Sequence, residues 1–320
     1  EMNDKIVRYA LPAGAVVPTA KPQVVVSGMP LGGDHPMHPF AISARGELFI
    51  DMGSATNSCQ PKNRVAGVPG NQPCDELLTR GGAWLYSADK LDQKFSPAER
   101  YATGIRNGMG LAFDASGRLF ATQHGRDQLL QNWGKLYPDA KVATELPSEE
   151  LMRVRQGGDY GWPFCYYDPF QKKLVLAPEY GGDGGKAVGV CAQKIEPVAA
   201  FPAHWAPNDL AIYTAKAFPG PFQGGAFIAF HGSWNRAPEP QAGFNVVFQP
   251  MANGKASGDY VVFADGFTGG DTAQAQHRPN GLLGAVLSTS PSPAVTPLHI
   301  DGVNRRLALE RLPAPVRSSL

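Results

Sequence analysis

Two short polar runs, Arg106-Asn107 and Gln123-His124-Gly125-Arg126-Asp127, hold the residue types from which a binding or catalytic centre is most readily built. Between them Leu111 and Phe113 alternate with Ala112 and Asp114, Ala115-Ser116-Gly117 supplies a turn, and Leu119-Phe120-Ala121 returns apolar. That pattern predicts a β-hairpin. Antiparallel strands of similar length bring the residue before the first strand close to the residue after the second, so both polar runs share one rim. A guanidinium, an amide, an imidazole and a glycine-hinged backbone on one rim suit an anionic, oxygen-rich ligand. The competing reading is a surface ion pair between Arg106 and Asp127, with His124 capping a turn.

A second chemistry-bearing loop, Gly32-Gly33-Asp34-His35-Pro36-Met37-His38-Pro39, leads into the run from Phe40 to Gly53, and that run repeats the hairpin. Setting Gly46 on Gly117, an offset of 71 residues, places Phe40-Ala41-Ile42 on Leu111-Ala112-Phe113 and Leu48-Phe49 on Leu119-Phe120. A looser third copy runs from Asp209-Leu210-Ala211-Ile212-Tyr213 to Gly225-Ala226-Phe227-Ile228-Ala229-Phe230. Repeats that each place polar loops at the same end predict a β-propeller, in which those loops converge on the axis. His35, Arg106, His124, His231 and Arg236 then meet in one pocket. Residues 4–27 read as outer strands of a small sheet. Glu145 to Val154 reads as a short helix, with Pro147 and Ser148 at its start and Gly157-Gly158 after it. The glycine-rich GGDGGKAVG lacks the following helix and Lys-Ser/Thr pair of a phosphate loop, which argues against a nucleotide site.

The chain has 320 residues with 37 Gly and 29 Pro, which fits short strands and many turns better than helices. A formal charge of +1 with 18% charged residues excludes nucleic acid and anionic membrane as natural partners. No apolar run approaches membrane-spanning length, so no membrane insertion is expected. The sequence does not begin with Met and lacks an apolar leader segment, the expectation for a processed protein or a fragment. Cys59 with Cys74, and Cys165 with Cys191, each bracket a Gly/Pro-rich segment. We read two disulfides and hence a periplasmic or secreted location; a zinc site is the competitor, although no CxxC spacing occurs.

On Gly33-Asp34-His35, GELFIDMGSATNSC, ATGIRNGMGLAFD, ATQHGRDQL, GGDYGWPFCYYD, FPAHWAPNDL and AFHGSWNR, the chain resembles the glucose/sorbosone dehydrogenase family. The cysteine-containing motifs are most similar to the sorbosone branch. The resemblance implies an all-β, six-bladed β-propeller that uses pyrroloquinoline quinone (PQQ) and Ca2+ to oxidise an aldose or sugar aldehyde, passing electrons to an acceptor. By that resemblance His35 is the general base on the sugar hydroxyl, with Asp34 orienting it, and Arg106 stabilises charge growing on the quinone oxygen. Asn107 holds the cofactor, Arg278 and Arg236 meet its carboxylates, and the backbone carbonyls of Gly125 and Arg126 bind calcium. His38, His204 and His231 either line the pocket or are structural. Arg126 stands where the glucose enzymes have proline. The pattern ends near Leu282, so residues 1–282 are expected to be a partial propeller, lacking N-terminal blades and a closing strand, with a divergent tail at 283–320. Two alternatives are a non-catalytic interaction propeller and a calcium-dependent, lactonase-like hydrolase. The hydrolase would want more carboxylates than Asp34 and Asp51.

Overall fold

The computed structural model describes residues 4–216 and 218–282; the expected divergent tail lies outside the described residues. Its elements are mostly short strands, with Leu129–Trp133 and Ala140–Thr144 as brief α-helices. The strands form four main sheets. In the first, Lys5–Arg8 pairs antiparallel with Gln23–Ser27, and Gln93–Lys94 adds in parallel. The second orders Gly158–Asp159, Arg100–Thr103, Gly82–Ser87, Glu47–Met52 and Phe40–Ile42. The third orders Ala199–Phe201, Glu149–Arg153, Leu119–Gln123 and Leu111–Phe113, and the fourth Pro207–Ile212, Ala226–Phe230, Asn245–Gln249 and Val261–Ala264.

The two-residue period of a strand explains how these sheets stack. Within Glu47–Met52, Leu48, Ile50 and Met52 face one side and join Ile6, Val25 and Val26 of the first sheet, together with Trp84. Phe49 faces the other side and packs with Leu119, Ala121 and Met152 of the third sheet. The third sheet repeats the device: Phe120 and Leu151 meet Leu210, Ile228 and Phe230 of the fourth. Strands buried on both faces read as continuous apolar runs, which is why their sequences lack polar alternation. Each large side chain so buried contributes about 1.5–3 kcal/mol, so the sandwich of sheets is held by many modest increments.

All three hairpins expected from the repeats are present, and in the second copy Leu111 pairs with Ala121, Ala112 with Phe120 and Phe113 with Leu119. The helix expected over Glu145 to Val154 is not. Glu149–Arg153 is a strand, paired with Leu119–Gln123 on one side and Ala199–Phe201 on the other. Good helix-forming residues lose here to two strand partners and to burial of Leu151 and Met152 on opposite faces.

The edge strands Phe40–Ile42, Leu111–Phe113 and Pro207–Ile212 lie beside one another. This gathers the loops that precede them and the loops that follow their partner strands. Cys59–Cys74 and Cys165–Cys191 are both bonded, as read from their spacing. Closing a 15-residue separation by a disulfide stabilises by about 3 kcal/mol in the loop-entropy account. Replacing Cys59 and Cys74 together by Ala should therefore lower stability to denaturant by about that much. Proteolysis should concentrate at residues 60–73, and cleavage elsewhere in the chain would contradict that localisation.

Candidate active site

The gathered loops enclose a cavity of about 400 Å³ lined by Asp34, His35, Arg64, Arg106, Asn107, His124, Gly125, Asp127, Glu149, His204, Trp234 and Asn235. Arg106 is its structural centre, only 2% exposed. All five of its N–H hydrogens have acceptors. Nε donates to the Asn57 carbonyl (3.2 Å), Nη1 to the carbonyls of His124 (3.4 Å) and Gly125 (2.9 Å), and Nη2 to Asn57 Oδ1 and Asp127 Oδ2 (both 2.9 Å). The Arg106–Asp127 pair exists, then, but is buried in the cavity wall instead of lying on the surface. His124 caps no turn, since its Nε2 lies 3.3 Å from the Pro207 carbonyl.

Asp127 ties the loops further, accepting from Arg64 Nη2 at 3.0 Å and from Asn235 Nδ2 at 2.8 Å. Burial works against its ionisation, but Arg106 and Arg64 outweigh this and hold its pKa well below the usual carboxylate range. Arg64 also grips Asp34, with Nε at 3.1 Å and Nη2 at 2.9 Å from Oδ2, and Asn63 Nδ2 reaches both oxygens of Asp34 at 3.0 Å. Asp34 is thus committed to Arg64 and Asn63, and the expected Asp34–His35 orienting contact is not made. His35 is held instead by Ser54, whose carbonyl and hydroxyl oxygens both meet its Nδ1.

Two glycines permit that approach. A Cβ on Gly53 would stand 2.6 Å from the His35 Cβ, and one on Gly33 would stand 2.5 Å from the Ala55 Cα, with Gly33 already at φ +84°. Burial and then the Arg106 charge push the His35 pKa well below the ordinary 6.5. His124 is lowered to about 4 by the same causes. His204 is also lowered by burial, against the pull of Asp127.

Sequence reasoning missed Glu149 because its strand was read as a helix. Its carboxyl is 2% exposed, accepts from the backbone N–H of Gly125 (2.8 Å) and Ala206 (3.1 Å), and is pushed up to about 8 by burial. Arg64, Asn57 and Trp234 were also missed; Trp234 is 67% exposed although it lines the cavity. The one available signal for Arg64 was its place between the paired cysteines.

Of the other expected residues, Asn107 lines the cavity, and no hydrogen bond of its side-chain amide occurs among the described residues. The Arg126 side chain is buried, paired with Glu179 and donating through Nη2 to the Asp127 carbonyl at 3.2 Å. Arg236 is 6% exposed and committed to Glu145 and the Ala203 carbonyl. Arg278 donates to the Gly232 carbonyl at 3.1 Å, stacks on Phe244, and lowers the pKa of nearby His231 after burial does. His38 is fully buried. Among the described residues no cluster of three His, Cys, Asp or Glu side chains is placed to hold a metal.

Comparison with known proteins gives these features a frame. A family model described as TrAA12-like matches residues 2–265. A curated relative, the pyrroloquinoline quinone-dependent pyranose dehydrogenase of Coprinopsis cinerea, is 26% identical over 194 residues, 55% of this chain and 25% of the relative. The match therefore spans about a quarter of that relative's length. The calcium structure of the Trichoderma reesei family AA12 carbohydrate-active enzyme superposes with a TM-score of 0.68 at 20% identity, covering 88% of this chain and 71% of that one. The holo form of the Coprinopsis cinerea pyranose dehydrogenase PQQ domain gives 0.59 at 18% identity, covering 88% and 72%. At these identities the two structures speak to the fold.

The site's charges set a pH dependence of stability. His35, His124 and His204 are held neutral, so below pH 6.5 the unfolded chain takes up protons that the folded one refuses, and stability falls toward pH 4. Glu149 and Glu150, both pushed to about 8, act oppositely: their contribution is full below pH 4.5 and is lost as pH rises through 8. Asp127 adds stability that is lost only in strong acid, below its ordinary 3.8. Denaturant unfolding should show maximal stability at about pH 6, with a decline on both sides. Asp127→Asn should cost about 3 kcal/mol or more, because Arg106 is left buried without its counter-charge. A stability that rises steadily to pH 9 would contradict the neutral state of the two glutamates.

Proposed function

Because the chain belongs to the TrAA12-like family, we propose that its cavity binds PQQ and calcium and oxidises an aldose or a sugar aldehyde such as sorbosone. The observation that carries this reading is His35, a neutral imidazole held through Nδ1 that leaves Nε2 as a base in a polar cavity beside a buried positive charge. The four stacked sheets are then blades of a six-bladed β-propeller with the cavity at its axis. The two disulfides suit a periplasmic or secreted protein.

The residues present fit the cofactor's chemistry. A tricarboxylate needs cations and amide donors, and Arg64 and Asn107 line the cavity, with Arg278 close to His231 beyond it. We assign Asn107 and Arg278 to PQQ, with Arg64 beside them; Arg236 would have to leave Glu145 to take part. With no carboxylate cluster among the described residues, a calcium ion would take carbonyl donors, those of Gly125 and Arg126. The pairing of Arg126 with Glu179 offsets its charge beside that loop. The same shortage of carboxylates disfavours the hydrolase reading.

When bound, PQQ would supply a hydride acceptor and calcium a Lewis acid beside it. His35 Nε2 takes the proton of the hydroxyl on that carbon, so the alcohol becomes a carbonyl. Arg106 has no spare donor and acts as a fixed positive charge, stabilising negative charge through space. Trp234 offers an exposed ring face of the kind that packs against the C–H face of a pyranose. A separate electron acceptor would be needed to complete each turnover.

Adding PQQ with excess calcium to the purified protein should change the quinone absorbance, and an aldose with an artificial acceptor should turn over. His35→Ala should cut turnover by about 10²–10⁴ while leaving PQQ binding nearly intact. Since His35 must be neutral to act and its pKa is depressed, the rate should fall on the acid side only below pH 6.5. Normal turnover of His35→Ala at saturating PQQ would remove the base assignment.

A further inference from the structure

We propose that Ser54 is the positioning residue of this base, holding His35 as a single tautomer with a neutral partner. The inference rests on the reading of His35 as the base, but its geometry is independent of any ligand. His35 Nδ1 lies 2.9 Å from the Ser54 carbonyl and 3.0 Å from the Ser54 hydroxyl. A carbonyl oxygen only accepts, so Nδ1 carries the hydrogen. The hydroxyl hydrogen is directed elsewhere, to the Thr56 carbonyl at 2.7 Å, so toward the ring this oxygen also accepts. Both contacts demand the same tautomer, and Nε2 is left with its lone pair.

Ser54 is itself held on several sides. It is fully buried, its N–H donates to the Arg106 carbonyl at 2.7 Å, and the neighbouring Asp34 N–H donates to the Ala55 carbonyl at 2.9 Å. The base is thus joined through Ser54 to the backbone of the residue that carries the buried guanidinium. The charged and titratable groups acting on His35 are Arg106, His124 and Asp127 from the facing loops, while adjacent Asp34 is bound by Arg64 and Asn63.

The choice of partner has a chemical consequence. A carboxylate on Nδ1–H would stabilise the imidazolium and raise the basicity of Nε2. A serine does not, and Arg106 opposes the imidazolium further. The proton that Nε2 takes from the substrate hydroxyl is therefore held weakly and returns to solvent readily, restoring the base for the next turnover. Ser54 accordingly favours rapid recovery of the base over strong basicity.

Nitrogen-15 spectra of histidine-labelled protein without cofactor or metal should show His35 with Nδ1 protonated and Nε2 bare at pH 7. In Ser54→Asp the His35 titration midpoint should rise by about one pH unit or more, and the acid limb of kcat should move with it. In Ser54→Ala the carbonyl keeps the tautomer, and kcat should fall about five- to tenfold with little change in KM. A wild-type spectrum with the hydrogen on Nε2, or a Ser54→Asp midpoint that stays in place, would overturn the proposal. The wild-type spectrum decides it even where Ser54→Asp fails to fold. Should the protein oxidise no sugar, the function proposed above fails, while the spectra still test Ser54.

Discussion

A guanidinium buried with every hydrogen assigned is the constraint on which this structure depends. Arg106 draws its five acceptors from Asn57 on one loop and from His124, Gly125 and Asp127 on another, while its own N–H donates to Gln123 at 2.7 Å. Taking such a cation out of water is costly, and only a complete set of acceptors with a counter-charge offsets it. The cost enforces geometry, because no loop can shift without leaving a donor unsatisfied in a desolvated place. The same charge helps keep His35, His124 and His204 neutral and Asp127 ionised. One residue thus supplies both the frame of the cavity and its electrostatics.

Much of the fold was legible because its signals are local. Alternation around Ala115-Ser116-Gly117 marked a hairpin, the same spacing around Gly46 marked another, and each cysteine pair enclosed its own loop. The strand Glu149–Arg153 was illegible for the opposite reason. Nothing within ELPSEELMRV favours a strand; the state is imposed by Leu119–Gln123 and Ala199–Phe201, which come from elsewhere in the chain. Losing that strand also hid Glu149, the most deeply placed carboxyl of the cavity.

The site shows the same division. Residue types at the hairpin ends located the cavity, and His35, Arg106, Asn107 and Gly125 do line it. Partners were not legible. Adjacency suggested Asp34 for His35, but the contact belongs to Ser54, 19 positions on. Arg236 looked available as a rim cation until Glu145, 91 positions away, was seen to occupy it. Hydrogen-bond partners across a fold are set by packing, which one sequence read locally does not encode.

The arithmetic of Arg106 also bears on how this position can change over evolutionary time. A lysine would preserve the charge, yet an ammonium has three hydrogens for five acceptors, and they are not arranged in a plane. At least two carbonyl or amide oxygens would be stranded in a dry wall. A neutral replacement would also take from Asp127 one of its two arginine partners. Any viable route away from arginine therefore passes through concerted changes at Asn57 and Asp127, so these three positions should drift together or not at all across descendants of this chain.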